Sequence, residues 1–280
     1  MSTSTRAGSP SHAVRRLAVA AVIIFVVLFV VAAVAAVALN GGTGGGATTP
    51  SAGAATVGGA PTAAPSSGTG SWDSATQERI SSQVMPQFPV NAAQPHELAP
   101  TRGGQPLLVP PATVTSGAVP TGFPRSPQGA LAQLKALNEA GMASMDPATY
   151  ATAYTAVAAA GAPNPATTIL ARVASGSRLK GGLPDTGPVP GLSASYQVRA
   201  GLIKGSSDGG YFVVPCALGV LTVVTAKSSV RVAVGDCQAM RWIDGQWRIS
   251  PTTAPTLAPA TWPGTTEAQS AGYVAVIPDA

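Results

Sequence analysis

An α+β fold, helices first and an antiparallel sheet after them, is predicted by three observations. Between Ser126 and Ala174, apolar residues recur at helical spacing behind proline-containing caps. After Gly191 the pattern changes to short runs of Val, Ile, Tyr, Phe and Thr, punctuated by Gly, Pro or Asp. Finally, Arg241-Trp242-Ile243-Asp244-Gly245-Gln246-Trp247-Arg248-Ile249 sets Asp-Gly between two β-forming runs, a hairpin-turn signal. The expected architecture is a set of helices packed on a curved antiparallel sheet.

Ahead of that domain stands a run of 23 residues, Leu17–Leu39, containing only Leu, Ala, Val, Ile and Phe. At the rise of an α-helix it would span about 34 Å, enough for a bilayer core of ~30 Å. Arg6, Arg15 and Arg16 precede it, and the next charged residue is Asp73. Positive charge stays inside, so residues 1–16 are expected in the cytoplasm and everything beyond Asn40 outside the cell membrane. A cleaved secretory signal ending near Ala36-Val37-Ala38 is the competing reading, but its apolar region would run only about 7–15 residues. Either route exports the bulk of the chain.

Residues 40–71 carry no charge and no aromatic residue. Such a Gly/Ala/Thr/Pro composition cannot bury a core and is expected to act as a flexible linker, with a root-mean-square reach of roughly 30 Å. Residues 72–121 read as an extended, Pro-rich arm, opening on a short helical turn capped by Asp73 or Ser74. The domain proper is expected at 122–250 and a Pro/Thr-rich tail at 251–280, with Trp262 and Tyr273 able to dock back.

Within the domain, Ser126-Pro127 is an N-cap with proline at the first helical position. Leu131, Leu134 and Leu137 supply the apolar stripe, Lys135 and Glu139 sit four apart, and Gly141 ends the helix. Asp146-Pro147 repeats the start, with Tyr150, Tyr154 and Val157 as the stripe and Gly161 as the stop. A third run, Thr167–Ala174, fits a helix or a short strand. Strand candidates are Ser195–Ile203, Tyr211–Val214, Leu218–Thr225, Val230–Val234 and Gln238–Ile243.

Cys216 and Cys237 are the only cysteines, both beyond the apolar run. In an oxidising compartment they read as one disulfide, two buried thiols or a partial metal site being the other options. Antiparallel pairing around a turn between Lys227 and Ser228 brings them nearly opposite, with a bulge at Pro215 or Gly235 absorbing the difference.

The remaining motifs carry little chemistry. Leu183-Pro184-Asp185-Thr186-Gly187 matches a sortase pentapeptide but lacks the hydrophobic helix and basic end that should follow it. Ser177-Arg178-Leu179-Lys180 matches the S-x-x-K of penicillin-binding proteins, yet Gly181-Gly182 cuts its helix short and no K-[ST]-G follows. His96 is the one histidine beyond the apolar run, placed in a Pro-rich stretch. No catalytic set, metal set or cofactor motif is therefore expected, and the chain is read as not an enzyme. The net charge of +5 includes the three N-terminal arginines and no basic cluster follows, so direct nucleic-acid binding is not expected. Trp242 and Trp247, with Arg241 and Arg248, are the candidate partner contacts, although paired hairpin tryptophans are more often core.

From Val119 to Ile249, the stretch VPTGFPRSPQGALAQLKAL, a second helix opened by Asp-Pro, strands and the closing RWIDGQWRI resemble actinobacterial single-pass membrane-anchored proteins of unknown function, often encoded on conjugative elements. The order of anchor, linker, helices and curved sheet is also similar to the bitopic NTF2-like assembly factors of type IV secretion and conjugation. These resemblances imply a non-enzymatic scaffold that contacts protein partners in a cell-envelope or DNA-transfer assembly, with homo-oligomers left open. An enzyme acting on the cell wall, or a module binding wall or ligand, is the alternative.

Overall fold

The structure, a computed structural model, describes residues 72–226 and 228–279. The apolar run 17–39 and the linker 40–71, with the membrane and localisation expectations that rest on them, lie outside the described residues. Among those described, no helix is long and apolar enough to cross a membrane.

The helical half follows its capping signals. Helix α1 (Ser74–Ser82) starts at Asp73, whose carboxylate accepts from Thr76 N–H at 3.0 Å, and is a full helix rather than a single turn. After β1 (Leu107–Val109), α2 (Pro127–Gly141) is capped by Ser126 and α3 (Pro147–Val157) by Asp146. Helix α3 stops short of Gly161 because Ala158 turns extended and bridges to Ile249. The ambiguous third run is helical: α4 (Ile169–Lys180) opens on Thr168, whose hydroxyl accepts from Ala171 N–H. Their stripes, including Leu131, Leu134, Leu137, Tyr150 and Leu170, are fully buried against the sheet.

The sheet is built on two long strands, β2 (Leu192–Ser207) and β3 (Phe212–Thr225), paired antiparallel throughout. Register shifts at Arg199 and Lys204 bend β2, and the sheet curls into a half-barrel around the helices. The two runs expected on either side of Pro215 are one strand. Pro215 accepts from Gln238 N–H at 3.2 Å but has no N–H to return. At that point the facing edge divides into β4 (Ser229–Cys237) and β5 (Met240–Ile243), both in register with β3.

Strand β6 (Gln246–Ile249) completes the expected hairpin, with Asp244 and Gly245 both at positive φ and Trp242 opposite Trp247. Helix α5 (Thr266–Ser270) and β7 (Val274–Pro278) close the chain. The sheet order is β1-β7-β2-β3-β5-β6, with β4 beside β3. It is mixed, because β1 and β7 pair in parallel.

Composition sets residues 72–121 and 251–280 apart, yet both are built into this body. Trp262 donates its N–H to Ala92 O, Ala99 N–H bonds Gly264 O, and Asp279 N–H bonds Val109 O. Lys204 reaches from its bulge to Ser81 O (2.7 Å) and Thr256 Oγ1 (2.8 Å), fastening the C-terminal end of α1 to the last stretch of chain. Trp262 and Tyr273 are buried in the common core. Burying side chains of this size contributes about 1.5–3 kcal/mol each, which segments with only short helices and strands need to stay ordered.

Candidate interaction surface

The disulfide is formed. Thr225 N–H bonds Ser228 O, so the β3–β4 connection closes tightly and Cys216 falls directly opposite Cys237. The bulge expected at Pro215 or Gly235 is absent from this ladder; the irregularities lie in β2. The cysteine Cα atoms are 4.1 Å apart, close to the spacing of a non-hydrogen-bonded cross-strand pair.

The four candidate contact residues come together on the β5–β6 hairpin but have different fates. Trp242 and Trp247 meet edge to face with ring centroids 5.4 Å apart. Trp247 is fully buried and donates Nε1–H to Pro124 O at 2.8 Å. Arg241 is buried as well: it donates to Gln77 Oε1 and stacks on Trp72, tying α1 to the hairpin. Arg248 caps the end of α3 through Ala156 O at 2.9 Å. The packed domain thus uses Arg241 and Trp247 internally and leaves Trp242 partly exposed.

The motifs that looked like chemistry are placed as follows. Ser177 is buried in the last turn of α4, not at a helix start, and Lys180 points outward at its end. Arg178, only 1% exposed, donates to Met145 O (2.8 Å), Pro184 O (2.9 Å) and Gly187 O (2.7 Å). It therefore clasps the Leu183–Gly187 loop to the turn before α3. His96 lies between Gln94 O and the Glu267 carboxylate, 3.3 Å away, and that backbone contact first, then Glu267, raises its pKa. Among the described residues no three His, Cys, Asp or Glu side chains are grouped to hold a metal ion.

Two features had no signal in the sequence. One is Asp236, 1% exposed, which accepts from Asn138 Nδ2 (3.1 Å) and Gln238 Nε2 (2.9 Å) beneath the helices. Burial pushes its carboxyl up to about 6, the two amide hydrogen bonds opposing.

The other is an open groove of about 540 Å³ between β2, α2 and β7, lined by Lys135, Glu139, Tyr196, Val198, Arg199 and Val276 among others. It exists because β7 pairs β2 only at Ala200 and Gly201 and then leaves to run beside β1. From Leu192 to Val198 the β2 edge has no neighbouring strand among the described residues. Thr225 turns its N–H to Ser228 and Val198 turns its N–H to Glu139 Oε1 (2.9 Å). The alternation of the ladder then directs the N–H and C=O of Ala194 and Tyr196 into the groove. The Lys135–Glu139 pair, legible as an i,i+4 contact, forms part of its wall.

Comparison of the chain with protein-family models, curated proteins and solved structures found no match.

Proposed function

We propose that the chain is a non-enzymatic, membrane-tethered extracytoplasmic interaction module, a scaffold that contacts proteins in a cell-envelope or conjugative DNA-transfer assembly. The observation that carries this reading is the β2 edge, a strand with free backbone groups opening into a groove on a disulfide-bonded domain. Exposed edges are usually blunted by charge, proline or a covering element, and residues 192–198 have neither charge nor proline. The disulfide suits an oxidising compartment, and the basic-flanked apolar run supplies a route there.

The tether is tested by fusing a reporter active only outside the cytoplasm after Ser71. Activity, together with retention of the chain in membranes after alkaline carbonate extraction, is expected. A soluble mature form beginning near Leu39 overturns the tether. The scaffold role is tested by replacing Ser177, Lys180 and His96 with Ala: the host system's phenotype should be intact, and its loss would restore the enzyme reading.

A further inference from the structure

We infer that the β2 edge pairs with the same edge of a second copy of this chain, antiparallel about a twofold axis at Ser195. The inference rests on the reading of this edge as an interaction surface and names its occupant. The N–H groups at the two ends of the open segment are already taken internally: Leu192 N–H bonds Val189 O at 3.1 Å, and Val198 N–H bonds Glu139 Oε1 at 2.9 Å. Among the described residues, the outward donors that remain are the N–H groups of Ala194 and Tyr196, placed symmetrically about Ser195. An isologous contact needs that symmetry, since residue i must meet j and j must meet i. In this register Ala194 exchanges reciprocal backbone hydrogen bonds with Tyr196 of the second copy, on both sides of the axis.

The side chains agree with this register. The outward-facing set is Ser193, Ser195 and Gln197, all exposed and uncharged, so Ser195 meets its own copy and Ser193 meets Gln197 without repulsion. The groove walls carry both signs, with Lys135 paired to Glu139 in each copy. That pair is neutral, and Arg199, the remaining charged lining residue, lies outside residues 192–198 and donates to Gln197 Oε1 at 2.5 Å. Arg199 and the register shift beside it end the pairing on one side, which limits the contact to the seven residues 192–198.

The test uses the full chain in its membrane, with exposed positions replaced so that the fold is untouched. Ser195→Cys should form a disulfide-linked dimer under mild oxidation. Co-expressed Ser193→Cys and Gln197→Cys chains should link to each other, while Ser193→Cys alone should not. Ser229→Cys, on β4, should give no dimer. Adding Ser195→Lys, which sets two ammonium groups on the axis, should abolish the Ser193→Cys/Gln197→Cys dimer. No Ser195→Cys dimer, or equal dimer from Ser229→Cys, overturns the inference. A photo-crosslinking residue at Ser195 then separates the two readings. Adducts with other proteins and none with itself leave the edge as an interaction surface but refute self-pairing. No adduct at all refutes both.

Discussion

Replacing Asp236 by Asn should stabilise the domain at neutral pH and flatten its response to acid. The carboxyl is buried and accepts from two neutral amides, Asn138 and Gln238, with no lysine or arginine among its partners. Its folded pKa of about 6 lies above the ordinary 3.8, so folding prefers the protonated form. The sign follows: the unfolded chain releases the proton more readily, and stability falls as pH rises from about 4 through 6. The difference between 3.8 and about 6 corresponds to a penalty on the order of 3 kcal/mol at pH 7.

Asparagine removes the charge and keeps the shape. Its new N–H₂ would face Asn138, where an amide flip supplies Oδ1 as acceptor and moves the Asn138 N–H₂ to a buried position without a partner, a cost of about 1–3 kcal/mol that offsets part of the gain. Alanine would instead leave both amides unpaired and should destabilise at every pH, by about 1–3 kcal/mol for each orphaned group. Urea denaturation of the full chain in detergent, at intervals from pH 4 to pH 8, measures all three proteins. Wild type should lose more stability across that range than Asp236→Asn, in which the residual fall reports His96, whose raised pKa acts with the same sign in both proteins. A wild-type stability that is flat across the range, or an Asn variant weaker than wild type at pH 7, refutes the reasoning.

Alkylation of denatured, unreduced protein should find no free thiol at Cys216 or Cys237, and Cys→Ser at both should cost roughly 3 kcal/mol by loop-closure entropy. Arg178→Met should strip three carbonyls of their donor and free the Leu183–Gly187 loop, seen as faster proteolysis there and a loss of more than about 2 kcal/mol; unchanged proteolysis would show that the clasp is redundant. Gly219→Ala should be severely destabilising, because a Cβ there would lie 2.2 Å from Cζ of Tyr196, whose hydroxyl is held by Val234 O; a variant with native melting behaviour contradicts this packing.

What this chain's sequence determines by itself is short in range. Ser126-Pro127 and Asp146-Pro147 start helices because a cap oxygen and a pre-set φ act within three residues. Asp244-Gly245 turns the hairpin because both positions take positive φ, and the α+β class follows from the change of period at Gly191.

Tertiary structure decides the rest, since it depends on residues far apart in the chain. Whether 218–225 starts a new strand or continues an old one depends on β2 lying alongside, and periodicity cannot report a neighbour. The arm and the last stretch look unfoldable alone because neither has a core of its own; together they pair β1 with β7 and share one. Composition leaves Arg241 and Trp247 open between core and partner contact, and the docking of α1 and of residue 124 buries them. The β2 edge is open for the same reason: β7 follows it at Ala200 and Gly201 and then turns to β1, a choice between two distant strands that no local pattern encodes.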